Sequence, residues 1–217
     1  MEKMIKHPLP TFEHERYLWK DGKQFIAGID EVGRGCFAGP VVAAAVIFPQ
    51  NHIFSNPLLH SINDSKKLTA KKREVLSDAI YEEATAIGIA EISVESINAV
   101  GVGKATQQAF TRSISLLSQT PDYILIDAFL VDGYPQVQQK AIIHGDTISI
   151  SIAAASIVAK VYRDNLMAEL HNVYPQYDFI TNKGYGTLKH RTLLQKYGLC
   201  KLHRTSFALD KFLIPTL

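Results

Sequence analysis

Phe25-Ile-Ala-Gly-Ile-Asp-Glu-Val-Gly-Arg-Gly-Cys-Phe-Ala-Gly-Pro-Val-Val-Ala-Ala-Ala-Val-Ile-Phe48 is the stretch that decides the fold. Phe25 to Asp30 reads as one buried strand and Val41 to Phe48 as a second, because both runs are short, apolar and bounded by turn residues. Gly33-Arg34-Gly35 and Gly39-Pro40 lie between them, so the strands are expected to fold back as a hairpin. The uncharged run Cys36 to Pro49 is interrupted by Gly39 and Pro40 and is too short to span a bilayer.

Working outward, Thr69 is placed to cap a helix over Ala70 to Glu83, and Ala86 to Val94 gives a third strand. A helical stretch follows from about Ser96 to Leu117, then Tyr123-Ile-Leu-Ile126 forms a buried strand ending at Asp127, and Gln138 to Ile143 a fifth. Asp146 to Tyr174 contains neither Gly nor Pro, and its alanine-rich run Ile152 to Ala159 predicts a long, closely packed helix. This order predicts an α/β domain, a mixed sheet flanked by helices, over residues 1–174, with a helical C-terminal extension over 175–217 in the same unit.

The chain of 217 residues is 47% hydrophobic, enough for one substantial core. Its 23 Lys and Arg against 21 Asp and Glu leave a net charge of +2, which marks no bulk polyelectrolyte partner. Distribution says more. Thr181 to Arg204 holds Lys183, Lys189, Arg191, Lys196, Lys201 and Arg204 with no acid, and Lys66, Lys67, Lys71, Lys72 and Arg73 form a second cluster; the two are placed to hold duplex phosphates or to be solvated faces. Cys36 and Cys200 are too few for a disulfide framework and read as packing residues. The N-terminus lacks the apolar stretch of a signal peptide, so a cytoplasmic monomer with no membrane association is expected. Gly101-Val-Gly-Lys-Ala-Thr106 fails as a P-loop, since Asn98 and Ala105 stand where glycine and Ser or Thr are required. His144, His190 and His203 lack the spacing of a zinc site.

The carboxylates carry the chemistry. Asp30 and Glu31 stand where the first strand meets the glycine turn, and burying both without a cation is costly. Asp127 ends another apolar strand, and ligand sites of open α/β sheets gather at such ends. If those strands are neighbours, three acids converge. Asp146 is expected to open the long helix, where an aspartate also serves as a plain cap. Crowded acids repel unless divalent cations neutralise them, and all-oxygen ligation favours Mg2+ or Mn2+. Two such ions suit phosphodiester hydrolysis.

Gly28 to Val46 resembles the opening signature of the ribonuclease HII family, and similar segments follow in family order: Asn63 to Leu68, Leu125 to Asp127, Gly145-Asp146, Ala153 to Val161 with Arg163-Asp164, Lys183-Gly-Tyr185, and His203-Arg204. The resemblance implies a ribonuclease H-like fold with a five-stranded mixed sheet, and a C-terminal extension that contributes to substrate binding. It implies Asp30, Glu31, Asp127 and Asp146 as catalytic, metal-binding acids for two Mg2+ or Mn2+ ions. It further implies cleavage of RNA/DNA hybrids and incision 5′ to ribonucleotides embedded in duplex DNA, leaving 3′-hydroxyl and 5′-phosphate ends, as in ribonucleotide excision repair and DNA replication. Gly33, Arg34 and Gly35 match the loop that contacts the ribonucleotide, Tyr185 the tyrosine set against the neighbouring sugar, and Lys66 a phosphate-contacting lysine. Read alone, each is equally a tight turn, a loop tyrosine or a solvated lysine.

Two other readings compete. A ribonuclease HIII is similar in its core but is expected to carry a long N-terminal substrate-binding domain and no arginine in the glycine turn, whereas Arg34 is present here. A catalytically silent hybrid-binding protein would keep the fold without needing all four acids. Ala128, where many relatives are expected to have glycine, and Gly186 to His190 depart from the family pattern. The apolar tail Lys211 to Leu217 is expected to pack on the core, and nothing in it supports a replication-factor contact.

Overall fold

The computed structural model describes residues 9–213. Its sheet has five strands in the order β3-β2-β1-β4-β5. Helix α1 (Glu13–Lys20) leads into β1 (Ile26–Val32), which pairs antiparallel with β2 (Val41–Ile47) across the glycine turn. Helix α2 (Ala70–Glu83), capped by the Thr69 hydroxyl, returns the chain to β3 (Ala86–Ile92) on the outer edge of β2. Helices α3 (Val94–Val100) and α4 (Val102–Ser115) cross the sheet to β4 (Tyr123–Asp127), parallel to β1, followed by β5 (Gln139–Ile142) and the long α5 (Ile150–Val173). Helices α6 (Phe179–Asn182) and α7 (Leu188–Tyr197) and short 3-10 turns complete the described chain.

Strand alternation sorts the core into two layers. Ile26, Val42, Ala44, Val46 and Leu125 face α5 and α2, while Ala27, Ile29, Ala43, Ala45, Ile124 and Ile126 face α4. Both helices approach closely because glycine admits them. A Cβ on Gly28 would lie 2.0 Å from the Ser151 carbonyl carbon of α5, and one on Gly88 would lie 2.1 Å from the Ser113 oxygen of α4. The alanines of α5, Ala153 to Ala155, are fully buried at the same contact. A third cluster joins Tyr177, Phe179 and Leu194 to Met167 of α5 and Ala38 of the loop after the glycine turn.

Several expected boundaries move for physical reasons. Strand β1 continues through Glu31 to Val32, because its pairing with β2 runs on to Val32 opposite Val42. The stretch expected as one helix after Ser96 is two, since Gly101 at φ 81° cannot be helical. Asp146 is not the cap of α5: it sits in the 3-10 turn Gly145–Thr147, and the Ser149 hydroxyl accepts from Ile152 N–H instead. Helix α1 is only eight residues long; it buries Leu18 and Trp19, and its start is held by tertiary contacts. Glu15, fully buried, accepts hydrogen bonds from Ser149 Oγ at 2.6 Å and Ser151 N–H at 3.0 Å, at the positive end of α5. Ala128 takes φ 61°, a left-handed conformation that a non-glycine residue adopts at about 1 kcal/mol or more. The end of the tail, residues 214–217, and residues 1–8 lie outside the described residues; Phe212 stacks on Phe37 at 5.1 Å.

The Gly28 contact leaves no room for one methyl group without moving α5. Gly28→Ala is expected to destabilise the protein by about 3 kcal/mol or more, measured by urea denaturation, whereas an unchanged midpoint would show that α5 shifts freely on the sheet.

Candidate metal and nucleic-acid site

Parallel pairing of β1 and β4 sets Ile29 opposite Ile126, so Asp30 and Asp127 leave neighbouring strands at the same end. By the period of two, both point to the α5 face and Glu31 to the other. Asp30 is 6% exposed; its Oδ1 accepts from Glu31 N–H at 2.7 Å, and the Ser156 side chain of α5 favours its ionised form. Burial, reinforced by the charges of Glu31 and Asp127, holds the Asp30 carboxyl well above the usual aspartate range. Burial raises Glu31 too, against the pull of Arg34, whose Nη1 is 3.9 Å away.

Asp127 Oδ1 accepts from Gly145 N–H at 2.7 Å, which ties β4 to the turn carrying Asp146. Asp146 is buried, and burial followed by the Asp127 charge raises its pKa. Lys66 Nζ stands 3.7 Å from Asp146 Oδ2 on an otherwise exposed side chain. Partial desolvation works against its charge, yet the surrounding carboxylates, Asp146 first, raise its pKa. The Lys66 segment is fixed to the acids through Ser65, whose hydroxyl lies 3.0 Å from that of Ser156. Three chain segments, β1, the end of β4 and the turn before α5, thus bring the four expected acids together, with Asp127 in electrostatic contact with each of the other three.

Among the described residues, no three His, Cys, Asp or Glu side chains close into a ready-made cage. That donor set fits Mg2+ or Mn2+, which keep several waters and take one or two carboxylates with a substrate phosphate, and it does not fit zinc.

Gly33 lies at φ 85°, and a Cβ there would sit 2.2 Å from Arg163 Nε, so the fold itself requires glycine. Gly35 is different. It is exposed, has no left-handed φ, and a Cβ would meet nothing within 4 Å. Arg34 spans the turn, with its guanidinium 4.5 Å from the Phe129 ring centroid. Tyr185 is 39% exposed, with its ring 5.8 Å from Lys160 Nζ, and burial of the hydroxyl pushes its pKa up to about 12. Tyr185, Arg73, Lys160, Asp164 and Lys183 line a groove of about 650 Å3 that none of the four acids lines.

The ribonuclease HII family model matches residues 27–210. The chain belongs to the ribonuclease HII family. A ribonuclease HII of Syntrophus aciditrophicus is 49% identical over 193 residues, covering 89% of this chain and 88% of that protein. The ribonuclease H2 of Pyrococcus horikoshii shares the fold at TM-score 0.73 and 22% identity, over 88% of this chain and all of that one. Bst-RNase HIII, solved in complex with Mn2+, superposes at TM-score 0.65 and 20% identity, covering 87% of this chain and 68% of its own.

In this ribonuclease HII chain, Arg163 was legible only as a matched motif residue, and Arg204 as one more cation of a basic surface cluster. Both are fully buried and bond carbonyl oxygens. Arg163 donates to Pro40 O at 2.9 Å, Ala38 O at 3.1 Å and Lys183 O at 2.8 Å, tying the glycine-turn loop to the Tyr185 loop. Arg204 donates to Gly39 O at 2.7 Å and to Arg34 O at 2.8 Å. Arg204 therefore leaves the basic surface patch expected from sequence. Lys189 is paired with Asp178 at 2.7 Å, and Arg73 with the Ser65 and Leu68 carbonyls. The exposed cationic surface is correspondingly thinner.

Asp30 tests the electrostatics. Its folded pKa is raised, so its favourable contribution belongs to the protonated form and is lost as pH rises through the folded value; at neutral pH without metal the buried carboxyl therefore opposes folding. Asp30→Asn is expected to raise the metal-free melting temperature at neutral pH by roughly 3 °C or more while abolishing any phosphodiesterase activity. A lower melting temperature in metal-free buffer would contradict this.

Proposed function

We propose that the protein is an endonuclease that hydrolyses the RNA strand of RNA/DNA hybrids and also incises 5′ to ribonucleotides embedded in duplex DNA, leaving 3′-hydroxyl and 5′-phosphate ends. Family membership supports the first activity. The observation that carries the reading is the assembly of Asp30, Glu31, Asp127 and Asp146 at one end of the sheet, with Lys66 beside Asp146.

Asp30, Glu31, Asp127 and Asp146 are the residues that would hold divalent cations, and two Mg2+ or Mn2+ ions bound there would activate the attacking water and stabilise the departing oxygen. Ser156 and the Glu31 N–H fix the Asp30 carboxylate, and Gly145 N–H fixes that of Asp127, so their lone pairs are oriented before substrate arrives. Lys66 offers an incoming phosphate its exposed ammonium.

Discrimination of ribose from deoxyribose is assigned to Gly33, Arg34, Gly35 and Tyr185. Gly35 supports this because neither packing nor backbone conformation demands glycine there. A bare main chain at the surface permits close approach to a sugar, and backbone groups can bond a 2′-hydroxyl. Tyr185 presents a half-exposed ring for the adjacent sugar. Such incision would serve removal of ribonucleotides from replicated DNA.

The test uses labelled duplexes with Mg2+ or Mn2+: one DNA duplex carrying a single ribonucleotide, one continuous hybrid and one all-DNA control. The wild-type protein is expected to cut the first two and not the third. Gly35→Ala is expected to keep its melting temperature and lose about tenfold or more in incision at the lone ribonucleotide, the equivalent of about 1.4 kcal/mol. Cutting of the continuous hybrid alone by wild type would contradict the embedded-ribonucleotide reading, and cutting of neither would contradict the enzyme.

A further inference from the structure

Two buried histidines, His190 of α7 and His203 of the loop beyond it, face each other with Nε2 to Nε2 at 3.1 Å. Aromatic rings surround them: Tyr177 lies 4.8 Å from His203, and Phe179 lies 5.7 Å from His190 and 6.0 Å from His203. The outer nitrogen of each ring meets the main chain. His190 Nδ1 is 2.9 Å from the Tyr185 carbonyl oxygen, and Cys200 N–H donates to His203 Nδ1 at 2.9 Å.

Those two backbone groups settle both tautomers. A carbonyl only accepts, so His190 carries its proton on Nδ1 and presents a bare Nε2. An amide N–H only donates, so His203 Nδ1 is bare and its proton is on Nε2, aimed at His190. The hydrogen bonds therefore run in one direction, from Cys200 through His203 and His190 to the Tyr185 carbonyl. A proton added to either ring would set two N–H groups against each other or against the amide. Burial, which lowers both pKa values and takes His203 to about 4, keeps the pair neutral.

The far end of this chain is the backbone of the residue assigned to the sugar. Tyr185 N–H donates to Asn182 O at 2.9 Å, and its carbonyl also accepts from Thr187 N–H at 2.8 Å. On either side, a Cβ on Gly184 would lie 2.3 Å from Ala38 O, and one on Gly186 would lie 2.2 Å from the Phe37 ring. The near end reaches the other recognition segment: His203 forms a bridge with Ala38, Arg204 N–H donates to Phe37 O at 2.8 Å, and Gly39 N–H donates to Leu202 O at 2.9 Å. The geometry points to His190, its tautomer and orientation set by His203, as a positioning residue that holds the Tyr185 backbone in fixed register with the Gly33-Arg34-Gly35 loop and so sets selectivity for the lone ribonucleotide. This rests on the role assigned above to Tyr185.

The two amide substitutes for histidine separate the relay from mere packing. His190→Asn keeps a donor near the Nδ1 position for the Tyr185 carbonyl; His190→Gln keeps an acceptor near Nε2 and gives up that donor. The ratio of incision at a lone ribonucleotide to cleavage of a continuous hybrid is expected to stay near wild type in His190→Asn and to fall about fivefold to tenfold in His190→Gln, at similar melting temperatures. Equal ratios in both folded variants would overturn the proposal. Long-range proton–nitrogen NMR on the wild-type chain tests it without substitution and without activity. Nδ1–H on His190 and Nε2–H on His203 are expected, and the reverse assignment or a protonated ring at neutral pH would overturn it. Loss of all cleavage by wild type would instead count against the proposed function and leave the NMR result to decide the relay.

Discussion

Helix α5 lies against strand β1 with no side chain between them at Gly28, and the rest of the molecule is organised from that contact. Below it, Glu15 anchors the start of the helix through Ser149 and Ser151. Further along, Ser156, Lys160, Arg163 and Met167 recur at helical spacing. Ser156 lies beside Asp30, Lys160 stands over the Tyr185 ring, Arg163 ties the glycine-turn loop to the Tyr185 loop, and Met167 enters the third core cluster. One stripe of one helix thus couples the hydrophobic core, the acids and the loops of the glycine turn and Tyr185, so displacement of α5 would disturb all three together.

Charge is distributed unevenly about this stripe. At the end of the sheet, acids are buried near one another and their pKa values are raised, which leaves them poised for cations. Behind the glycine turn, Arg163 and Arg204 are fully buried and, among the described residues, are solvated by carbonyl oxygens with no carboxylate within ion-pair distance. Arg204 falls to about 10 through burial and is still charged at neutral pH. Uncompensated positive charge beneath a loop with a bare glycine surface favours an approaching phosphate backbone. The low net charge of the chain conceals this arrangement.

The sheet was legible because its strands are short apolar runs bounded by turns, and Asp30 and Asp127 were legible as acids at the ends of such runs. Helix α1 was not, since it is only eight residues long, carries few apolar side chains and depends on its buried Glu15 bonding the start of α5. Asp146 was misplaced as a cap because Asp and Ser both serve at helix starts, and only tertiary contact with Asp127 separates the turn from the helix. Arg163 and His203 had visible motif positions and no visible role, Arg204 read as part of a basic surface cluster, and His190 stood in a segment that departs from the family pattern. Arginine and histidine are usually surface residues, and their partners here are main-chain atoms that a pattern of side chains does not encode.

The carboxylates gathered at the end of the sheet are expected to bind divalent cations. Calorimetric titration of Mn2+ into the wild-type protein and into Asp127→Asn tests it most directly. Saturable binding to the wild type is expected, weakened about tenfold or more by removal of one charged ligand. Indistinguishable isotherms, or no binding to either protein, would contradict it.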